Sequence, residues 1–240
     1  MDRGVSRETI ELEKFVVVAI DGPTGVGKST LARKLASQWG FLYVDTGAMF
    51  RCLALKWKAL GSPEEEEVLK TLGKGTHISF SATGQVFCDE KEVSNEIRTE
   101  EISRLASRIS KFGVVREVLK QQQRQLVAET EGQNAYSGAV LEGRDIGTVV
   151  VPDATIKFFV DADSEIRAQR RTDQLLEQGQ QADYVEVLAA LQERDLQDQT
   201  RAIAPLKPAE DAIIVDTTHL TPEQVLEQMS DEILNTAYSG

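Results

Sequence analysis

Gly22-Pro23-Thr24-Gly25-Val26-Gly27-Lys28-Ser29 has the spacing G-x-x-x-x-G-K-S with every position filled. Ahead of it, Phe15-Val16-Val17-Val18-Ala19-Ile20 is a β-branched run short enough for one buried strand. Behind it, Ser29 to Ala36 reads as a helix with Leu31 and Leu35 on one face. In that context the glycines turn backbone N–H groups toward a polyphosphate, and the helix N-terminus adds its positive end. Lys28 is then expected to reach the β- and γ-phosphates, and the Ser29 hydroxyl to hold Mg²⁺. The loop therefore implies a nucleoside triphosphate, with Gly22, Pro23, Thr24, Gly25, Val26, Gly27, Lys28, Ser29 and Thr30 around it.

Working outward, strands alternate with helices. Phe41–Val44, Ala139–Leu141, Ile156–Val160 and Ala212–Val215 read as strands, and Met49–Leu60, Ser164–Gln178 and Asp183–Gln199 as helices. Thr221-Pro222-Glu223-Gln224 caps a last helix, and Ser62-Pro63-Glu64-Glu65 has the look of another helix start. Residues 102–129 read as helix with a break near Phe112-Gly113. Thr76 to Val93 differs, alternating apolar and polar positions around turn residues as a small antiparallel meander would. The fold class expected is α/β: a three-layer parallel sheet with a small antiparallel insertion and a helical lid, the ligand lying at the strand C-termini. The domain reading is an extension over 1–14 and one domain over 15–240. Its core covers about 15–62, 101–178 and 205–236, its insertion about 63–100 and its lid about 179–204.

With 240 residues, 41% of them hydrophobic, the chain can bury one substantial core. A net charge of −12 argues against a nucleic-acid partner. More than half of the 27 basic residues are arginines, several clustered as bidentate phosphate recognition requires. Cys52 and Cys88 lie far apart in sequence, which supports neither a disulfide framework nor a metal knuckle. Met1 to Lys14 has no apolar stretch of the signal-peptide kind, and no run approaches a membrane span, so a cytoplasmic chain is expected.

Three further clusters bear on a second ligand. Asp45-Thr46-Gly47-Ala48-Met49-Phe50-Arg51 follows the second strand, where Thr46 and Arg51 would overhang the crevice; an ordinary strand–helix turn with a surface arginine is the plainer alternative. Glu142-Gly143-Arg144-Asp145-Ile146-Gly147-Thr148 follows another strand, and its Arg–Asp pair is hard to explain by packing alone. Arg194, Asp198 and Arg201, at i, i+4 and i+7, share one helical face, as they would on a salt-bridged surface helix too.

Taken together these stretches resemble the bacterial-type cytidylate kinases, from Ile20 to about Glu232. The resemblance rests on the glycine loop, Asp45–Ala48 with Arg51, Glu96-Ile97-Arg98-Thr99, Val115-Arg116-Glu117, Gly143–Val150 with Pro152-Asp153-Ala154, and Arg194 through Leu206. It implies phosphoryl transfer from ATP, with Mg²⁺, to CMP or dCMP by a chain expected to be monomeric. It implies that Arg51, Arg144 and Arg201 hold the monophosphate and that Ser107, Arg116 and Asp145 read the cytosine ring. Arg194 and Asp198 match the pair at the sugar, and Lys28, Arg144 and Arg201 the catalytic cations. Gln197 and Gln199 stand where many relatives have arginine, and Glu142 replaces a common aspartate. Another small-molecule kinase on this fold (adenylate, uridylate or shikimate type) shares the loop without the cytosine set. A silent nucleotide-binding module would have lost the phosphate arginines.

Overall fold

The computed structural model describes residues 14–81, 84–133 and 135–238. The expected extension lies outside them except for Lys14, as do Ala82 and Thr83 of the meander turn. Five parallel strands form the main sheet: β1 (Val16–Asp21), β2 (Phe41–Asp45), β6 (Gly138–Gly143), β7 (Ile156–Asp161) and β8 (Ile213–Asp216), in the order β2-β6-β1-β7-β8. Strands buried on both faces read as continuous apolar runs, and β1 shows why. Val16, Val18 and Ile20 enter one core with Leu35, Phe158 and Met229, while Ala19 enters the other with Leu53, Trp57 and Leu119.

Register decides what meets at the carboxyl edge of this sheet. Asp21 pairs with Gly143 across β1–β6, and Asp45 with Glu142 across β2–β6. Strands that begin together thus also end together, and the loops after β1, β2 and β6 open on one side. Helix α1 (Lys28–Trp39) starts directly from the glycine loop, and α2 (Thr46–Ala59) directly from β2. The Asp45 carboxylate accepts from Ala48 N at 2.8 Å and so caps α2, which begins three residues earlier than the apolar periodicity predicts.

The insertion comprises α3 (Glu66–Lys74) and a three-stranded antiparallel sheet of β3 (Ile78–Phe80), β4 (Val86–Cys88) and β5 (Lys91–Glu92). The helix start expected at Ser62 is not there. Ser62 has φ +58°, and α3 begins after Glu65 without a side-chain cap. The stretch is drawn away by Trp57, whose indole N–H donates to Pro63 O at 2.6 Å. The break near Phe112-Gly113 is real and separates α4 (Glu100–Ile109) from α5 (Gly113–Gln133). Cys52 of α2 and Cys88 of β4, distant in sequence, are buried neighbours whose thiols are hydrogen-bonded, and both are free. After β7 come α6 (Ser164–Glu177) and α7 (Tyr184–Thr200), packed on each other, then β8 and α8 (Pro222–Tyr238). The capping box at α8 forms as read: Gln224 N donates to Thr221 Oγ1, and Thr221 N to Gln224 Oε1.

Candidate active site

The glycine loop takes its shape from backbone conformations that side chains disfavour. Gly25 and Gly27 have φ of +85° and +90°, and a Cβ on Gly22 would lie 2.0 Å from Val160 O. Gly27 precedes α1 without a capping side chain, so the helix presents its N-terminus to the loop. Lys28 is 6% exposed and donates from Nζ to Pro23 O at 2.6 Å. Burial first, then the nearby Arg144 guanidinium, holds its ammonium well below the usual lysine range. A cation so poorly solvated gains most from an arriving anion.

Beyond the loop, a cleft of about 370 Å³ runs along the sheet's carboxyl edge. It is lined by six cations (Lys28, Arg51, Arg116, Arg144, Arg194, Arg201) and four carboxylates (Asp45, Glu142, Asp145, Asp198), in a chain whose net charge is −12. Thr24, Gly25, Gly27, Ser29, Thr30, Thr46 and Ser107 also line it. Three of the expected loop residues do not: Gly22 abuts β7, Pro23 turns its carbonyl to Lys28, and Val26 packs in the core.

Two ion-paired groups form the wall facing the loop. Arg116, on α5, donates to Asp145 Oδ2 at 2.6 Å, and its guanidinium carbon stands 5.5 Å from the centre of the Phe50 ring. Arg144 donates from Nε to Asp198 Oδ2 at 2.9 Å and from its terminal nitrogen to Thr24 Oγ1 at 2.7 Å. Arg201 lies between them, 3.6 Å from Asp145 Oδ1 and 3.6 Å from Asp198 Oδ1. The shared helical face expected for Arg194, Asp198 and Arg201 is only half correct. Helix α7 ends at Thr200, and Arg201 enters the cleft from an extended segment, its Nε donating to Ala204 O. Burial lowers Arg201 from the usual arginine range, with Arg116 adding to it, and brings Arg194 down to about 10, with Arg144 second.

Thr46 donates from Oγ1 to Glu142 O at 2.6 Å, tying the start of α2 to the end of β6. Glu142 is buried, accepts from Tyr43 Oη and Ser29, and is raised above the usual carboxylate range by burial and then by Asp45. Sequence reading overlooked several groups here. Asp21 accepts from Ile146 N and Gly147 N, both at 2.8 Å, and burial brings it to about 6. Arg167 of α6 donates to Thr24 O at 3.0 Å and to Asp195 Oδ2 at 2.6 Å, pinning the expected lid helix to the glycine loop. A charged residue at or next to the end of an apolar strand, as Asp21 and Glu142 are, was the available signal, because a buried carboxylate needs partners. Asp195 fell within the stretch Arg194 through Leu206 but was given no role, standing one position off the face singled out.

A lysine buried against a glycine loop and arginines across the same cleft call for phosphate at both ends, which makes the molecule a phosphate-loop phosphotransferase. The family model for cytidylate kinase matches residues 18–235. The cytidylate kinase of Geobacter sp. (strain M21) is 45% identical over 232 residues, covering 95% of this chain and 97% of its own. That of Caldanaerobacter subterraneus subsp. tengcongensis is 45% identical over 219 residues, covering 91% and 94%. The chain belongs to the cytidylate kinase family, and it is accordingly a CMP kinase rather than one of the two alternatives its sequence left open. Among solved structures, the shikimate kinase from Bacteroides thetaiotaomicron aligns with 91% of this chain and 98% of its own at 11% identity and a TM-score of 0.43. Among the described residues no helix is long and apolar enough to cross a membrane.

Proposed function

We propose that the chain transfers the γ-phosphoryl group of ATP to CMP or dCMP, releasing ADP and CDP or dCDP, with the following division of labour. One observation carries the reading: Arg144 bridges the cleft, bonded at once to Thr24 of the donor loop and Asp198 of the facing wall. Lys28 and the loop amides between Thr24 and Thr30 hold the donor phosphates. Arg51, Arg144 and Arg201 hold the acceptor phosphate, with Thr46 at its edge. Ser107, Arg116 and Asp145 read the cytosine, whose edge offers an amino donor and two acceptors. Arg194 and Asp198 meet the sugar.

Arg116, Arg144 and Arg201 are paired with Asp145 and Asp198 inside the cleft. A phosphate monoester would take Arg144 from Asp198 and so free Asp198 to accept from a ribose hydroxyl. The transition state is loose, and the chain's task is alignment and charge neutralisation rather than proton abstraction. The acceptor phosphate is largely ionised near neutral pH, which leaves His77 and His219 without a role. Ser29, hydrogen-bonded to the buried Glu142, offers a hard hydroxyl oxygen of the kind that suits Mg²⁺. Such an ion takes most of its shell from phosphates and water, so one or two side chains suffice. When bound it would neutralise charge on the transferring group.

Residues 179–204 would act as the lid over a core of 15–62, 101–178 and 205–236, with 63–100 as the monophosphate-binding insertion. The same reading takes the chain as a cytoplasmic monomer without a nucleic-acid partner. A coupled ADP-release assay across CMP, dCMP, UMP, AMP and GMP tests the substrate. CMP and dCMP should be used far better than the purine monophosphates, and equal turnover of AMP and CMP would overturn the base assignment.

A further inference from the structure

Asp21 is a buried carboxylate that the phosphoryl-transfer scheme leaves unused. It ends the central strand β1, one residue before the glycine loop, and is 4% exposed. Both its oxygens are engaged, Oδ1 accepting from Ile146 N and Oδ2 from Gly147 N at 2.8 Å each. Those two amides open the single π-helical turn Ile146–Val150 that follows β6.

Asp145 occupies the N-cap position of that turn, with φ −146° and ψ 27°, yet its side chain makes no capping bond. This is unusual for aspartate, which at an N-cap ordinarily accepts from the second or third amide of its own turn. Asp145 instead turns its carboxylate into the cleft, with Arg116 at 2.6 Å and Arg201 at 3.6 Å. Of the amides it would have satisfied, that of Gly147 is already taken by Asp21, which holds Ile146 N as well and is brought alongside by the β1–β6 register that pairs Asp21 with Gly143. Two aspartates 124 positions apart have thus divided one job between them: the remote one caps, and the local one faces the substrate.

We propose that Asp21 is a positioning residue for nucleobase selection, a cap supplied from another strand that keeps Asp145 out of its own turn and in the cleft. The proposal rests on the reading of Asp145 as a cytosine-binding group. It places the determinant of base selectivity partly in the strand that leads into the donor loop. Lys28 and Asp145 are the charged neighbours of Asp21. An asparagine at this position keeps the shape but offers an amide NH₂ to one of the two N–H groups, so one amide is left without an acceptor. Asp145, at the N-cap of the same turn, is able to supply it, and folding back to do so withdraws it from Arg116.

The test compares Asp21→Asn with the wild type in kcat/KM for CMP and for UMP. The CMP-to-UMP preference should fall by about tenfold, the scale of one unsatisfied buried amide, while the Kd for a non-hydrolysable ATP analogue changes less than about twofold. In an Asp145→Ala background the same substitution should leave the preference unchanged, because the group it positions is already gone. An unchanged preference in Asp21→Asn, or equal effects with and without Asp145, would overturn the proposal and leave Asp21 a purely structural cap. Should Asp21→Asn fail to bind the ATP analogue, Asp21→Ser, whose hydroxyl accepts one of the two amides without adding bulk, is read in the same way. Equal use of CMP and UMP by the wild type would instead sink the role of Asp145 in base reading. Amide exchange at Ile146 and Gly147 then decides the cap alone: about tenfold faster exchange in the variant supports it, and unchanged exchange refutes it.

Discussion

Residues 22–29 form the donor side of the cleft in one continuous loop, whereas the facing wall draws its side chains from five places. Arg51 comes from α2, Ser107 from α4, Arg116 from α5, Arg144 and Asp145 from the loop after β6, and Arg194 and Asp198 from α7. The loop works through main-chain N–H groups, so its requirements are a few φ values and one lysine. The wall works through ion pairs whose members sit far apart in sequence and meet only if every helix packs correctly. Damage to the two sides should therefore look different. On the donor side function can be removed without stability; on the wall the two fall together.

Lys28→Met offers the largest effect and the sharpest contrast. Phosphoryl transfer should fall by about a thousandfold, measured as ADP release, since the lysine charge acts on the developing phosphate charge. Its thermal midpoint should hold or rise, because a buried ammonium is replaced by an apolar chain of similar size. A destabilised variant would break the contrast. Asp145→Ala should behave in the opposite manner. CMP use should drop by about a hundredfold, and urea unfolding should show a loss of about 3 kcal/mol, because Arg116 is left buried without its partner. Full stability in that variant would show that the wall is not held by its own charges.

A third test uses pH. Burial raises Asp21 to about 6 in the folded chain, against 3.8 for an aspartate exposed to water. The folded state therefore holds a proton between pH 6 and 4 that the unfolded chain has released. Its contribution to stability is complete below about pH 4 and is lost as pH rises through 6, amounting to at most about 3 kcal/mol. Asp211 runs the other way: a hydrogen bond from Lys157 depresses it, so acid weakens that pairing. Asp21→Asn, lacking the compensating proton, should lose stability more steeply than wild type between pH 6 and 4 in a series of urea midpoints. Parallel pH curves would mean that Asp21 titrates as an ordinary carboxylate.

The smallest effect concerns the segment joining the two sides. Arg201→Ala should lower the transfer rate constant about tenfold while ATP affinity changes little, because the residue contacts the wall and not the loop. Hydrogen exchange across Tyr184–Thr200 should slow when ATP and CMP are added together and less with either alone. Equal protection with and without ligands would make α7 a fixed arm, pinned through Arg167 and Asp195.

Which parts were legible follows the same division. The glycine loop is a local device, so its spacing, the strand before it and the helix after it can all be read along the chain. Buried parallel strands announce themselves as short apolar runs, and each of the five was found to within a residue or two. The false helix start at Ser62 shows where local chemistry is overruled, there by Trp57 reaching Pro63 O. The shared face of Arg194, Asp198 and Arg201 failed at its last member because α7 stops one residue short of it.

What the sequence determined by itself was the class of sheet, the donor loop and the set of arginines and carboxylates available to a second ligand. These depend on spacing, periodicity and residue type, all of which are properties of neighbours along the chain. Only the tertiary structure decided which charges meet. Arg116 finds Asp145, Arg144 joins Thr24 to Asp198, and Asp21 caps a turn that belongs to another strand. Pairings of this kind are set by strand register and helix packing, and separations of up to 125 positions leave no local pattern to read.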